Sequence, residues 1–391
     1  MYIFVQEALH TIKAALEATG LEDYTSEIKI LTGMAGLMLA LMKAYAYGRD
    51  HLLKEIKPFL GADEGFWDRR PKINIADHIK SLRDGLPIIS IINFKGGVSK
   101  STTAANLAAF FDNAGLRVLL IDLDYQGSLT DSTADGTAEL NFAAHDAIDG
   151  KHSAEQVLKN AAAGKSPLAR TRILASYYLL NRIENTIVFN WLVKKQKKDV
   201  RYNLHHILAS TGVRKAFDIV LIDCPPRLMT ASVNAICAST HLIVPTILDN
   251  LSVSATLNSL SAIQKLREKL SPSLKFLGVL PTFVDQQTGL RRREQEAVED
   301  LKQALSSPAN QKAFDGEVPI LLEQRILRKA AIAKVAGEEI AFFSDSDVRT
   351  MYSKLGAAIA TAVGPNFATK VKHADQETPI RDGTNVVAFA G

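Results

Sequence analysis

Glycine, lysine and hydroxyl residues are concentrated in one eight-residue segment of the chain. It reads Lys95-Gly96-Gly97-Val98-Ser99-Lys100-Ser101-Thr102 and lies between an apolar run and a run typical of a helix. Gly96 and Gly97 can adopt backbone angles that other residues resist, so successive N–H groups can converge on the oxygens of one anion. The dipole of the following helix favours negative charge at the same place. The segment therefore predicts a loop that binds phosphate.

The side chains of this loop suit a nucleotide with a magnesium ion. Lys100 would reach the β- and γ-phosphates, the Ser101 hydroxyl would bind Mg²⁺, and Thr102 would donate to an α-phosphate oxygen. The strict Walker pattern, G-x-x-x-x-G-K-[ST], is not satisfied, because Phe94 and Ser99 stand where that pattern has glycines. The strict pattern alone therefore does not identify the loop.

Short apolar runs alternate with helical stretches from about Leu86 onward, and they must position this loop. The runs look like strands buried on both faces, as in a parallel sheet. They are Ile88–Phe94, Arg117–Asp122, Asp218–Asp223, His241–Pro245 and Phe276–Leu280, with helical stretches such as Ser101–Asn113 and Ser254–Leu270 between them. This alternation predicts a doubly wound α/β fold with a mostly parallel sheet, whose ligand site lies at the carboxyl ends of the strands.

The chain divides into three parts by pattern. Residues 1–85 form a predicted helical N-terminal region, whose last helical piece, Ala76–Arg83, ends before the breakers Gly85 and Pro87. Residues 86–363 form the α/β domain. Residues 364–391 carry scattered glycine, proline and charge, which predicts a disordered tail.

Composition excludes several classes of protein. The 391 residues are 47 % apolar, enough for a packed core, and the formal net charge of +4 does not by itself indicate a nucleic-acid partner. The two cysteines lack metal-ligand spacing, and His205 and His206 have no third ligand nearby. Met1–Gln6 lacks the features of a secretory signal, and no apolar stretch approaches the length of a spanning helix. We therefore expect a cytoplasmic protein.

The second lysine of the loop points to a family. Lys95 resembles the signature lysine of the ParA/MinD family of deviant Walker A ATPases, whose loop reads K-G-G-x-x-K-[ST]. The resemblance spans roughly residues 88–362 and implies a P-loop fold, ATP and Mg²⁺ as ligands, and a dimer formed with ATP. In that family the lysine reaches across the dimer to the partner's nucleotide, where a cation offsets charge on the transferred phosphoryl group.

Three further blocks follow in the family's order. Asp122-Leu123-Asp124-Tyr125-Gln126-Gly127 resembles D-x-D-P-Q-G with tyrosine in place of proline, and the resemblance implies that Asp124 orients the attacking water. Asp223-Cys224-Pro225-Pro226 resembles the D-x-P-P turn, which implies that Asp223 holds Mg²⁺ through water, with Asp122 as a second carboxylate near the metal. The strand and loop Leu277–Asp285, including Pro281, resemble the segment that lies near the adenine base.

Family members that are similar to ParA act in the partitioning of plasmids or chromosomes. Their ATP dimers bind DNA without sequence specificity and release it when a ParB-like partner stimulates hydrolysis. Two basic groups could neutralise DNA phosphates here, although a solvated helix face would have the same composition. They are Arg291-Arg292-Arg293, and Arg325, Arg328, Lys329 and Lys334 on a predicted helix. The resemblance favours the DNA-binding interpretation and implies a cytoplasmic protein that associates with the nucleoid.

Other roles stay open. The segment Pro379–Asn385 lacks the periodicity and charge of a membrane-binding helix, so we expect no membrane partner. The main alternative is an ATPase that positions a protein cargo or regulates assembly of a complex without binding DNA. Amidating ligases and metal-cluster carriers are P-loop relatives too, but the carriers need a paired-cysteine motif near the C-terminus. Met1–Arg70 shows no clear helix-turn-helix signature, and its apolar stretch Met34–Tyr47 suggests packing on the ATPase domain or on a partner.

Overall fold

The computed structural model describes residues 67–136, 143–177, 179–192, 198–285, 288–314, 316, 318–334 and 340–377. The predicted helical region before residue 67 and the chain after residue 377 lie outside the described residues. The chain divides into two compact units, Met1–Asp63 and Glu64–Gly391. This division comes earlier than the predicted one between residues 85 and 86. Helix Ile75–Arg83 belongs to the second unit because its His78 is buried there and donates from Nε2 to the Cys237 carbonyl oxygen at 2.7 Å.

A seven-stranded sheet forms the centre of the second unit, in the order β3-β4-β2-β5-β1-β6-β7. The strands are β1 (Ile88–Ile91), β2 (Val118–Asp122), β3 (Ala162–Ala163), β4 (Thr171–Leu174), β5 (Ile219–Asp223), β6 (His241–Ile247) and β7 (Lys275–Thr282). All neighbours are parallel except β3 and β4. The predicted doubly wound α/β fold is confirmed. In this register Asp122 at the end of β2 lies directly beside Asp223 at the end of β5.

Helices flank the sheet and connect its strands. They are α1 (Ile75–Arg83), α2 (Lys100–Asn113), α3 (Ser128–Thr133), α4 (Ala143–Asp149), α5 (Ala154–Lys159), α6 (Leu179–Leu192), α7 (Asn203–Leu208), α8 (Thr211–Ala216), α9 (Thr230–Ala238), α10 (Asn250–Leu270), α11 (Arg292–Leu305), α12 (Pro308–Ala313), α13 (Ala330–Lys334), α14 (Ala341–Ser344), α15 (Ser346–Val363) and α16 (Pro365–Glu377). Among the helices that the structure describes, none has the combined length and apolar character that a membrane crossing requires.

Helix α2 carries the loop lysine at its first residue and is held by close packing. Most of its length is buried, including Leu107, Phe110 and Phe111. Gly356 in α15 permits the approach, because a Cβ atom at this position would lie 2.2 Å from Cδ1 of Phe110. The helix that presents the loop is therefore fixed from both sides, by the sheet and by α15.

The prediction of a disordered tail is wrong for residues 365–377, which form α16. Phe367 and Val371 lie one helical turn apart and are both buried. The Lys370 ammonium pairs with the Asp218 carboxylate at 2.6 Å. Scattered charge and proline suggested disorder, but Pro365 stands at the first helical position, which proline suits.

A fully buried ion pair anchors the segment that enters the second unit. The Arg201 guanidinium binds Asp199 and also donates to the carbonyl oxygens of Trp67, at 2.6 Å, and Arg69, at 2.7 Å. Its Cζ atom lies 5.3 Å from the ring centroid of Trp191. Because the charge is paired and its remaining donors meet carbonyl oxygens, burial of this arginine is compensated.

Buried histidines make the stability of this unit depend on pH. Burial and the nearby basic groups His78, His206 and Arg214 lower the pKa of His205 to about 3. Burial and Lys275 lower the pKa of His241 to about 4. Since both pKa values are below the ordinary 6.5 in the folded protein, the unfolded chain takes up protons first as the pH falls. The contribution of these two histidines to stability is therefore present above pH 6.5 and is lost progressively as the pH falls below it.

We expect the two histidines to lower the free energy of unfolding by roughly 2 kcal/mol between pH 6.5 and 5.5, about 1 kcal/mol each, because each is already half protonated at pH 6.5 in the unfolded chain. The buried carboxyl groups of Asp122 and Asp223, whose pKa values are raised, change stability in the opposite direction over this range. Denaturant titrations followed by circular dichroism at several pH values therefore compare the unmodified protein with the His205→Leu variant, in which the fall should be smaller by about 1 kcal/mol. An identical pH dependence in the two proteins would contradict the assignment.

Candidate functional site

The glycine loop lies between β1 and α2, at the carboxyl edge of the sheet. Gly97 has a φ of 74°, and Ser99, the N-cap of α2, is left-handed with φ 66° and ψ 28°. Ser99 thus takes backbone angles that glycine prefers, at the position where the strict Walker pattern has glycine. Such a conformation costs a non-glycine residue about 1 to 2 kcal/mol. Serine thus occupies this position without any change to a right-handed conformation.

Lys100 lies inside the loop. Its side chain is almost fully buried, and its Nζ atom donates to the carbonyl oxygen of Lys95 at 2.9 Å. Burial lowers the pKa of Lys100, and the nearby carboxylates of Asp223 and Asp124 oppose that shift. The ammonium group therefore lies between the loop and two acidic side chains, where a polyphosphate would replace the carbonyl contact.

Asp122 anchors the turn that carries Asp124. It is fully buried, accepts hydrogen bonds from the Asp124 amide at 3.0 Å and from the Thr130 amide at 2.9 Å, and also accepts from the Thr130 hydroxyl at 2.8 Å. Burial raises its pKa to about 7. Both carboxylate oxygens of Asp122 are engaged with neighbours in the chain, so its predicted role near the metal stays a prediction.

Asp223 differs from Asp122, although the two lie side by side. It is fully buried, and among the described residues neither of its carboxylate oxygens makes a hydrogen bond of regular geometry, although the Ser101 hydroxyl lies beside them. Burial and Asp122 raise its pKa well above the ordinary value, while the adjoining Ser101 hydroxyl and Lys100 oppose the rise. A carboxylate without partners is costly to bury. A hydroxyl and a free carboxylate are oxygen donors, which suit Mg²⁺ with its waters and a phosphate.

Asp124 stands at the start of a tight turn. Its carboxylate accepts from the Gln126 amide at 3.1 Å, and its carbonyl oxygen accepts from the Gly127 amide at 3.0 Å. Gly127 has a φ of 69°, and a Cβ atom there would lie 3.1 Å from the Ser176 carbonyl oxygen. The turn is therefore held close to the end of β4, with the Asp124 side chain half-buried beside Lys100.

Lys95 is already bound within its own chain. Its Nζ atom donates to the Ser252 hydroxyl and lies 3.9 Å from Asp249, at the start of α10. Asp249 and Ser252 were not among the predicted site residues. The signal for them was Asp249-Asn250-Leu251-Ser252, where Asp249 caps the helix by accepting from the Ser252 amide at 2.8 Å. The cap could be found from the sequence, but not its contact with Lys95.

The remaining predicted nucleotide-binding residues have other contacts in this structure. Val98 is buried, and its carbonyl oxygen accepts from the Thr282 hydroxyl at 3.4 Å, so the end of β7 adjoins the loop. The Thr102 carbonyl oxygen accepts from Asn106 within α2. Pro281 is buried one residue before Thr282, and its carbonyl oxygen accepts from the Ile326 amide. A role for Pro281 beside the base stays a prediction.

The two basic groups converge on one carboxylate. Arg291 and Arg328 both pair with Asp285, at 2.7 Å and 3.0 Å. Lys329 pairs with Asp347, and Arg292 pairs with Glu296. Burial raises the pKa of Asp249, but hydrogen bonds from Ser252 and the charges of Lys95 and Arg293 lower it overall, so Arg293 lies near the predicted nucleotide site. The structure thus joins the two predicted groups into one surface beside the loop.

The prediction that Arg325, Arg328 and Lys329 lie on a helix is wrong, because α13 begins only at Ala330. The segment instead runs alongside the end of β7. The Ile326 amide donates to the Pro281 carbonyl oxygen, and the Arg328 amide donates to the Val284 carbonyl oxygen at 2.8 Å. These contacts between backbone atoms hold the segment along the end of β7 in place of a helix.

Known proteins are similar to part of this chain in sequence. A family model described as an AAA domain matches residues 86–276. An uncharacterised protein of Pseudomonas putida is 32 % identical over 204 residues, which cover 52 % of this chain and 72 % of that protein. The chromosome partitioning protein ParA of Caulobacter vibrioides is 27 % identical over 234 residues, covering 60 % of this chain and 80 % of ParA.

A solved structure shows a similar arrangement with ligands. It is cobyrinic acid a,c-diamide synthase from Mycobacterium smegmatis, with a bound ATP analogue and magnesium. That chain is 26 % identical, has a TM-score of 0.50, and the match covers 69 % of this chain and 97 % of that one.

Proposed function

The chain belongs to the ParA/MinD family of P-loop ATPases, and from this premise we propose that it hydrolyses Mg-ATP as a dimeric switch that holds DNA. One observation carries the nucleotide part of the proposal. The buried Lys100 ammonium and the unpartnered Asp223 carboxylate lie together at the mouth of a glycine loop at a helix N-terminus. This arrangement provides a cation for phosphate and an oxygen donor for a metal ion in one place.

Each residue of the loop then has a defined task. The loop amides and Lys100 would bind the phosphates, while Ser101 and Asp223 would hold the metal ion. When bound, Mg²⁺ offsets charge on the phosphate oxygens. Asp124 orients a water for attack in line with the leaving group. Asp122 keeps Asp124 in place, because it accepts a hydrogen bond from the Asp124 amide.

Lys95 supplies the link between nucleotide and dimer in this proposal. In the single chain it is held by Ser252 and stays near Asp249. To reach a nucleotide in a second copy, it must leave these partners for phosphate oxygens, which carry more negative charge. ATP thus favours the dimer because only the dimer provides Lys95 with that better partner.

The exposed basic residues beside the loop support the proposal that the protein binds DNA. Arg292, Arg291 and Arg328 have side chains 92 %, 58 % and 62 % exposed, and their acidic partners are themselves accessible to solvent. Exposed ion pairs of this kind are weak, so phosphates can replace the carboxylates. Contacts of this type carry no sequence information. We propose plasmid or chromosome partitioning in the cytoplasm, with association to the nucleoid and a ParB-like partner that stimulates hydrolysis.

Binding to a random-sequence duplex tests the DNA part. We expect binding with ATP, and little with ADP or without nucleotide. If about four phosphates are contacted, a threefold rise in salt should weaken binding roughly 50-fold. The double variant Arg292→Ala/Arg293→Ala should weaken binding to every sequence, and Lys80→Ala on the exposed side of α1 is the matched control. Fluorescence anisotropy measures all of these.

The alternative is an ATPase that positions a protein cargo or regulates assembly of a complex. ATP turnover without DNA binding in any nucleotide state would exclude partition over DNA and favour this alternative. Because the chain is similar to a diamide synthase, an amidating ligase is a further candidate function. Such an enzyme would need an acceptor molecule for turnover. Phosphate release from ATP alone distinguishes the two classes.

A further inference from the structure

Arg227 lies where two parts of the proposed site meet. It directly follows the turn Asp223-Cys224-Pro225-Pro226 after β5. Its guanidinium Cζ atom lies 4.6 Å from the ring centroid of Tyr125, a distance typical of a cation–π contact. Tyr125 is the residue after Asp124 and stands where the family pattern has proline. Arg227, which follows the Asp223 turn, therefore packs on the ring of Tyr125, which follows Asp124.

The same guanidinium reaches helix α6. Its Nη2 atom donates to Asn181 Oδ1 at 3.0 Å and to Glu184 Oε2 at 2.8 Å. Glu184 is almost fully buried, and its other carboxylate oxygen accepts from the Ala231 amide at 2.8 Å, in the first turn of α9. Arg227 is thus fixed by a charged partner on one side and an aromatic ring on the other.

Helix α6 connects the Arg227 contact with the aromatic pair Trp67 and Trp191. Glu184, Ile187 and Trp191 are buried on one face, and Trp191 lies two helical turns, about 10 Å, beyond Glu184. The Trp191 ring stacks on Trp67, with ring centroids 6.0 Å apart. Trp67 lies near the start of the second compact unit, Glu64–Gly391.

We propose that Arg227 is a positioning residue that holds the Asp124 turn against α6, so that the turn and the Trp67–Trp191 stack respond to nucleotide together. Proline would restrict the backbone of this turn by itself. Tyr125 does not, and the contact with Arg227 supplies the restraint instead. This proposal rests on the proposed ATPase function, because it assigns Arg227 a task only through Asp124.

Steady-state kinetics test the positioning role. The Arg227→Ala variant should lose roughly 10- to 100-fold in kcat, the range expected when a reacting group is misplaced. Its KM for ATP should stay within about twofold, because Arg227 lies outside the phosphate loop. Adding Tyr125→Pro to Arg227→Ala should recover most of kcat, since it restores the restraint of the family pattern. A purely structural role for Arg227 predicts no such recovery.

A second variant guards against a folding defect. Tyr125→Ala removes the ring but leaves the contact between Arg227 and Glu184 intact, so the buried carboxylate keeps its partner. We expect the same loss of kcat with an unchanged midpoint of unfolding. Normal kcat in both Arg227→Ala and Tyr125→Ala would overturn the proposal, while ATP turnover by the unmodified protein would leave the proposed function in place.

Tryptophan fluorescence reports on the environment of the Trp67–Trp191 pair at the C-terminal end of α6, because these are the two tryptophans of the chain. ATP should change their emission in the unmodified protein, and Arg227→Ala should bind ATP without that change. Emission that is unaffected by bound ATP in the unmodified protein would overturn the link through α6. Failure of the unmodified protein to bind ATP at all would instead overturn the proposed function on which the link rests.

Discussion

The Lys100→Ala variant is expected to bind ATP about 30- to 4,000-fold more weakly than the unmodified protein. The Lys100 ammonium is buried inside the loop and lies near Asp223 and Asp124. Its removal deletes the charge that phosphate oxygens would meet and leaves two carboxylates to repel them. Loss of one hydrogen-bonded charged partner costs about 2 to 5 kcal/mol, and about 1.4 kcal/mol corresponds to a tenfold change in affinity.

Isothermal titration calorimetry with ATP and Mg²⁺ measures this loss directly. The exposed Lys80 provides the matched control, since Lys80→Ala removes the same charge far from any loop contact. The unfolding midpoint of each variant shows whether the chain is folded. Tight ATP binding by a folded Lys100→Ala variant would contradict the assignment of residues 95–102 as the phosphate loop.

The Asp124→Ala variant is expected to bind ATP normally and to hydrolyse it about 100- to 10,000-fold more slowly, the range for loss of a group that handles a proton in the transition state. Asp124 lies at the edge of the loop and makes no contact that would hold the loop together. Its partners are the amides of its own turn, Gln126 and Gly127. Single-turnover phosphate release and a separate binding measurement distinguish chemistry from affinity.

A more conservative variant separates two explanations for such a loss. Asp124→Asn keeps an oxygen that can accept from the Gln126 amide, so the turn should stay formed, but it removes the charge that attracts and orients water. We expect Asp124→Asn to be nearly as slow as Asp124→Ala. If Asp124→Asn is fully active, then the turn and not the carboxylate is what matters, and the water-orienting role belongs elsewhere.

The parts of the site that the sequence predicted are local in the chain. Residues 95–102 follow one strand and open one helix, so the course of their backbone can be predicted from neighbouring residues, and even left-handed Ser99 fits this arrangement. The strands that carry Asp122 and Asp223 were visible as continuously apolar runs. Parallel pairing then brings the two aspartates together without further information.

The parts that sequence reasoning missed depend on contacts between distant residues. Lys95 and Ser252 are 157 positions apart, and nothing in either segment indicates their hydrogen bond. Strand β3 has two residues, too few for any periodic pattern. Arg328 looked helical because its neighbours favour a helix, but the free edge of β7 offered backbone partners that the local sequence does not reveal.

The buried contacts of Arg201 determine which substitutions the chain can accept at residues 67 and 69. Its guanidinium donates to the backbone carbonyl oxygens of residues 67 and 69. Because every residue has such an oxygen, these hydrogen bonds do not depend on the side chains at the two positions. Trp67 is the side chain of this stretch that α6 itself engages by stacking. The backbone path of residues 67–69 is therefore held independently of most of their side chains, so substitutions of Arg69 should leave this stretch in place.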